Sequence, residues 1–213
     1  SFSSIRLRFR ELVPLSLPLT ANRVLLGLLQ GIEAVSIPGC LKLYNHSTSE
    51  ALSTYGVLTG MALPCILFPS AITNSVSIML MPTVAELQVK DQASGIRKLL
   101  QKVLGCCFLM GLFCCLFFLF FGQLIGQFLF ASDLAGNFII TLAWICPFLY
   151  VNGSLLSVLN GFGKTTTSFT INTVGLAIRI GSVFFAIPVF GIQGYLWGLL
   201  ISQLAVSICC SVV

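Results

Sequence analysis

The stretch LLQKVLGCCFLMGLFCCLFFLFF, residues 99–121, decides the fold of this chain. Apart from Lys102 near its beginning, it contains no charged residue and consists mainly of Leu, Phe and Cys. A helix needs roughly 20 predominantly apolar residues to cross the hydrocarbon core of a bilayer. This stretch therefore predicts a transmembrane helix.

The rest of the chain has the same character. Hydrophobic residues make up 57% of the 213 residues and charged residues 8%, and the mean hydropathy is +1.02. A soluble domain carries about 25% charged residues. We predict six spans, at residues 12–37, 55–84, 99–121, 137–159, 165–190 and 191–213. They are too long for transmembrane β-strands and lack the alternation of such strands, so we predict an all-α integral membrane protein, a six-helix bundle without room for a soluble catalytic domain.

The basic residues fall into alternate links between these spans, and the net charge is +5. Cytoplasmic links carry an excess of Lys and Arg, which places both ends of the chain on the cytoplasmic side. These charges are too scattered for a nucleic-acid patch, and we expect no nucleic-acid partner. The basic residues are Arg6, Arg8 and Arg10 before the first span, Lys90, Arg97, Lys98 and Lys102 around the second link, and Lys164 between spans four and five.

Motifs of enzymes and metal sites are absent from the sequence. It contains no HExxH, no GxSxG and no P-loop. Most of the nine cysteines lie inside apolar runs and lack CxxC spacing, so we interpret them as small hydrophobic residues of helices. We therefore predict that the protein is not an enzyme, and we expect neither a cofactor nor a metal.

Polar residues cluster in the first predicted span. Arg23 and Gln30 are seven positions apart and share one stripe of a helix, while Asn22 and Glu33 fall on the adjacent stripe. Ionisable residues at membrane depth normally face a bundle interior or a watery cavity. This arrangement predicts a polar wall along a substrate path. The alternatives are an interhelical salt bridge, or an Arg23 side chain that extends to the inner headgroups.

The fifth predicted span carries Asn172, Gly175, Arg179 and Ser182 on one stripe. Arg179 lies about halfway along the span, too deep for its side chain to reach the headgroups easily. An arginine at that depth needs an anionic partner or water. Glu33 and an anionic substrate are both candidates for this partner.

The second predicted span carries a further polar face, formed by Ser70, Thr73 and Ser77, with Asn74 beside it. This face either lines the substrate path or makes hydrogen bonds between helices, which Ser, Thr and Asn often do in membranes. The sequence leaves both interpretations open.

Several segments resemble one known family. They are LTANRVLL (residues 19–26), YGVLTGMA (55–62), LFPSAITNS (67–75), LNGFGKT (159–165) and GIQGY (191–195). They are similar to segments of the stage V sporulation protein B group, in the polysaccharide transporter branch of the multidrug/oligosaccharidyl-lipid/polysaccharide (MOP) exporter superfamily. The resemblance covers nearly the whole chain, and the segment at 68–75 is its most specific part.

The resemblance implies a transporter of two six-helix lobes around a central cavity, a MATE-like MOP flippase fold. Because the chain also lacks an initiator Met, we expect it to be the C-terminal lobe of a longer protein, with the N-terminal lobe of the same protein as its partner. Relatives move undecaprenyl-pyrophosphate-linked sugars, including a peptidoglycan precursor, across the bacterial plasma membrane by alternating access. Members linked to sporulation serve spore cortex and cell-wall synthesis.

From this resemblance we predict that the protein is a flippase for a lipid-linked oligosaccharide or peptidoglycan precursor. Arg23 and Arg179 would bind the pyrophosphate, and Glu33 is a candidate for binding a coupling Na⁺ or proton. The alternative is a multidrug cation antiporter of the same fold. Such an exporter would favour acidic cavity residues, whereas the deep charges here are two Arg and one Glu. The full set of substrate-cavity candidates is Asn22, Arg23, Gln30, Glu33, Ser70, Thr73, Asn74, Asn172 and Arg179.

Overall fold

The computed structural model describes residues 24–44, 47–89 and 93–212, which are almost entirely helical. Asn22 and Arg23, two of the predicted cavity residues, lie outside the described residues. The helices are α1 (Val24–Tyr44), α2 (Thr48–Val57), α3 (Leu63–Leu67), α4 (Ser70–Val89), α5 (Ala93–Phe130), α6 (Asp133–Ala143), α7 (Cys146–Gly161), α8 (Thr165–Phe185), α9 (Ile187–Phe190) and α10 (Ile192–Val212). A π-helical turn, Leu58–Ala62, joins α2 to α3.

Five helical segments of this part of the chain are long and apolar enough to cross a membrane. The number rises to six if α6 and α7, which meet at 55°, form one broken span. Pro147 lies in the first turn of α7, where its missing N–H is tolerated and its ring prevents a straight continuation of the preceding helix. The predicted all-α multi-pass membrane fold is thus confirmed.

The helix ends differ from the predicted span limits, most clearly at two places. The predicted run 55–84 is divided at Phe68 and Pro69, where α3 ends and α4 begins. Helix α5 continues to Phe130, through residues that we expected to form a connection. Its last turns carry Gln123 and Gln127, whose side-chain amides donate to Asp133 Oδ1 at 3.4 Å and 2.8 Å. These polar side chains therefore have a partner at the start of α6, which allows the helix to continue.

Glycine shapes two of the tight turns. Gly163, between α7 and α8, has φ 75°, and Gly191, between α9 and α10, has φ 61°. An L-residue with a side chain is disfavoured in this left-handed region, whereas Gly adopts it readily. Both turns reverse the chain within a few residues and so hold their flanking helices side by side.

The largest buried cluster joins residues from most of the described helices. It is built around Leu41 of α1, Leu58, Phe138 of α6, Tyr150 of α7 and Leu196 of α10. Helix pairs α5–α6, α4–α7, α5–α7 and α8–α10 pack closely. Glycine and other small residues favour such packing, because transmembrane helices can approach closely where no bulky side chain separates their backbones.

The cysteines behave as the sequence predicted. All nine are free thiols, and six of them are buried. Cys114, Cys115 and Cys146 belong to the main buried cluster, where a thiol packs as a small apolar group. Within the part of the chain that the structure describes, no group of three or more His, Cys, Asp or Glu side chains could hold a metal ion.

Candidate functional site

An ion pair between α1 and α8 forms the centre of the candidate site. Arg179 Nε donates to Glu33 Oε1 at 2.9 Å, and Arg179 Nη2 lies 2.8 Å from Glu33 Oε2. The two parallel contacts make the bidentate fork that guanidinium and carboxylate groups favour. One of the two partners that the sequence left open for Arg179 is therefore Glu33.

Tyr195 of α10 completes this cluster. Its hydroxyl donates to Glu33 Oε1 at 2.8 Å and accepts a longer hydrogen bond from Arg179 Nη2 at 3.4 Å. Burying a charge in a membrane is tolerated only when the charge is paired and hydrogen-bonded. Three helices, α1, α8 and α10, are thus joined through one carboxylate.

The two charged partners differ in exposure. The side chain of Glu33 is 4% exposed, whereas that of Arg179 is 26% exposed. Arg179 Nη1 has no hydrogen-bond partner among the described residues. The carboxylate is therefore buried behind the guanidinium, and the surface next to the pair presents a hydrogen-bond donor with positive character.

Arg179 opens into a cavity of about 270 Å³ between α1, α8 and α10. Gln30 and Asn172, both predicted as cavity residues, line the same space as Arg179. Four of the predicted residues, Gln30, Glu33, Asn172 and Arg179, are thus brought together by the fold. The complete lining is Leu26, Gln30, Asn172, Gly175, Leu176, Arg179, Ser202, Gln203 and Val206.

Close contact between α8 and α10 positions these side chains. A Cβ atom on Gly175 would lie 2.6 Å from Val206 Cγ2, so any larger residue there would force Val206 to move. The Ser202 hydroxyl donates to the Gly175 carbonyl oxygen at 2.8 Å. Arg179 follows Gly175 by one helical turn, and Tyr195 precedes Ser202 by two turns. The close approach of the helices therefore determines where the guanidinium and the phenol meet.

Gln203 adds a second donor to the cavity. Its Oε1 accepts a hydrogen bond from Asn152 Nδ2 of α7 at 2.7 Å, and its backbone oxygen accepts another at 3.0 Å. With Oε1 occupied, the NH₂ group of Gln203 has no partner among the described residues. The buried Oδ1 of Asn152 also lacks a partner there. The amide of Gln203 is thus oriented by α7 and retains its donors.

The predicted polar face of span two lies elsewhere, in the contact between α4 and α7. Ser70 donates to the backbone oxygen of Leu67, at the end of α3, at 2.6 Å, and Thr73 donates to the backbone oxygen of Ser70 at 2.9 Å. Ser77 is 3.0 Å from the hydroxyl of Ser154, and Asn74 lies beside Gly153. The structure does not bring Ser70, Thr73 and Asn74 to the Arg179 cavity.

Sequence reasoning did not identify three residues of α10 that belong to the site, Tyr195, Ser202 and Gln203. A signal for two of them was present. Tyr195 and Ser202 are seven positions apart and share one stripe, and Gln203 is the adjacent polar residue in an otherwise apolar run.

Comparison with known proteins shows which sequences this chain resembles. The chain is 26% identical over 188 residues to stage V sporulation protein B of Bacillus subtilis (strain 168), a match that covers 87% of this chain and 36% of that protein. It is also 26% identical over 93 residues to sporulation protein YkvU of the same organism, covering 44% of this chain and 21% of that protein. The chain thus spans about a third or less of the length of these curated relatives. No family model matches it.

A solved structure shares the fold. It is that of a MOP superfamily transporter from Pyrococcus furiosus Vc1 (DSM3638), described as having a binding pocket of reversed polarity that suggests a different function. The TM-score is 0.70 at 16% identity, over 90% of this chain and 41% of that one. The predicted resemblance is therefore confirmed, since this membrane protein is similar in sequence to stage V sporulation protein B and has the fold of part of a MOP superfamily transporter.

Proposed function

We propose that this chain is one lobe of a flippase that moves a lipid-linked oligosaccharide or peptidoglycan precursor from the inner to the outer leaflet of a bacterial plasma membrane. The fold of a MOP superfamily transporter and the similarity to two sporulation proteins support a transport role, in spore cortex or cell-wall synthesis. The observation that carries the substrate class is the guanidinium of Arg179, which faces a polar cavity at membrane depth.

The donors of the cavity match an anionic head group. Arg179 retains Nη1, and Gln203 retains its NH₂ group, on opposite sides of the space between α8 and α10. A pyrophosphate offers only acceptor oxygens, and guanidinium groups bind such oxygens well. The sugar-linked head group would enter the cavity while the polyprenyl chain stays in the bilayer.

The alternative function, export of organic cations, receives less support from this geometry. A cation needs an available carboxylate or an aromatic surface. Glu33 is the acidic residue of the described site, and its two oxygens already accept from Arg179 and Tyr195. A cation in the cavity would therefore meet the positive side of the ion pair.

Energy coupling by Na⁺ or a proton at Glu33 is part of the proposal. Either cation would compete with Arg179 for the same carboxylate, because two positive charges repel each other when both lie against one buried carboxylate. Binding of the cation would release the guanidinium toward the anionic substrate. Alternating access between this lobe and an N-terminal lobe would then carry the head group across.

Transport by the full-length protein in proteoliposomes tests the proposal. The assay follows a fluorescent undecaprenyl-pyrophosphate-linked sugar with Arg179 replaced by Ala or by Lys. We expect Arg179→Ala to abolish movement and Arg179→Lys to restore part of it, because Lys supplies charge without the bidentate fork.

Thr170→Val is the matched control. Thr170 lies on α8, nine residues before Arg179, and its exposed hydroxyl donates only to the backbone of Thr166. This variant should transport at the normal rate. Normal transport by a correctly inserted Arg179→Ala protein would overturn the assignment of Arg179 to the substrate path.

A further inference from the structure

A second cavity lies at the end of the bundle where α7 turns into α8. It has a volume of about 510 Å³ and is separate from the Arg179 cavity. Its wall is mainly apolar and comes from α5, α7 and α10, with Leu104, Leu155, Leu159 and Phe162 among the lining residues. A groove of this character on a membrane protein is adjacent to lipid chains rather than to water.

One basic residue lines this groove, and a second lies on the same stripe of α5 as its wall. Lys164, in the turn that follows α7, is exposed and lines the cavity. Arg97 is also exposed, and it lies three positions before Leu100 and seven before Leu104, both lining residues. This spacing puts Arg97 on the same stripe of α5 as the groove wall, one turn nearer the helix start. The groove therefore leads from apolar surface to positive charge.

We propose that this groove binds an anionic phospholipid. One acyl chain lies against Leu100, Leu104 and Leu159, and the phosphate group faces Lys164 and Arg97. Charge complementarity selects this occupant, because each Lys or Arg near the surface favours an anionic lipid by about 1 kcal/mol, or about fivefold. Exposed Gln88, which also lines the groove, adds a neutral donor for the headgroup. The inference does not rest on the transported substrate.

Fluorescence quenching by brominated lipids tests this site. Phe162→Trp places an indole in the groove wall of the full-length protein, and the same protein without the substitution gives the background of Trp144 and Trp197. In phosphatidylcholine vesicles with a small fraction of brominated lipid, we expect brominated phosphatidylglycerol to quench the added indole at about fivefold or more lower mole fraction than brominated phosphatidylcholine.

Variants of the basic residues then show which charges cause the preference for phosphatidylglycerol. Lys164→Gln and Arg97→Gln should each lower the preference for phosphatidylglycerol by about fivefold, and the double variant should remove most of it. Lys102→Gln is the control, because Lys102 is an exposed residue of α5 about 200° around the helix from Leu100. It should leave the preference unchanged.

Three results would overturn the proposal. They are equal quenching by the two lipids, absence of quenching by either, and loss of the preference in Lys102→Gln as large as in Lys164→Gln. Displacement of brominated phosphatidylglycerol by an equal fraction of undecaprenyl phosphate would also overturn it, since the groove would then hold a polyprenyl chain. Translocation of the lipid-linked sugar measured in the same vesicles tests the proposed function separately.

Discussion

The Glu33–Arg179 ion pair predicts an asymmetric response to losing either partner. Arg179→Gln leaves a carboxylate that is 4% exposed with Tyr195 as its remaining partner. Breaking a buried pair in this way costs about 3–5 kcal/mol. Glu33→Gln leaves a guanidinium that is 26% exposed beside a polar cavity. Water can hydrate this group, so we expect a cost of about 1–2 kcal/mol, close to that of a few lost hydrogen bonds.

The double variant Glu33→Gln/Arg179→Gln should be more stable than Arg179→Gln alone, because it contains no unpaired buried charge. The expected coupling energy is about 2 kcal/mol, within the range for residues in direct contact. The assay is unfolding of the full-length protein in mixed detergent micelles with increasing SDS at neutral pH, with all four proteins compared. Equal costs of the two single variants, or strictly additive costs in the double variant, would refute the reasoning.

Two further predictions concern the contacts around this pair. Tyr195→Phe removes the 2.8 Å hydrogen bond to Glu33 but keeps both salt-bridge contacts. It should therefore lower the free energy of unfolding by about 1 kcal/mol and leave lipid-linked sugar transport largely intact. Complete loss of transport in a stable Tyr195→Phe protein would contradict this expectation. Gly198→Val should destabilise the protein by about 1–3 kcal/mol in the same SDS assay, because a Cβ at Gly198 would meet the side chain of Ser182. Its control is Gly181→Ala, where no atom lies within 4 Å of the added Cβ; equal costs for the two would show that α8 and α10 do not pack as described.

The sequence predicts the fold class well because lipid imposes a strong constraint. Long apolar runs such as 99–121 have few stable alternatives to a transmembrane helix. The limits of the helices are harder to predict, since they depend on tertiary partners. The last turns of α5, up to Phe130, carry Gln123 and Gln127, which donate hydrogen bonds to Asp133. This contact depends on how α5 and α6 pack, so the local sequence does not predict it.

The residues of the candidate site were likewise predictable in part, because helical periodicity can be read from the sequence and tertiary partners cannot. Helical periodicity put Asn172 and Arg179 on one stripe, and the scarcity of buried acids pointed to Glu33 as a partner. Periodicity cannot tell which neighbour a polar stripe meets, so Asn74 and Ser77 gave the same signal although they contact α7. Tyr195 was missed because its seven-residue spacing to Ser202 indicates a shared stripe of α10 but not the buried carboxylate that this stripe meets.

The central claim is that the cavity beside Arg179 accepts a negatively charged, lipid-linked head group. The most direct measurement compares transport of a fluorescent undecaprenyl-pyrophosphate-linked sugar with transport of an organic-cation drug by the full-length protein in the same proteoliposomes. We expect movement of the sugar lipid, its loss in Arg179→Ala, and no inhibition by the drug. Movement of the drug alone, lost in Glu33→Gln and kept in Arg179→Ala, would contradict it and indicate a cation antiporter.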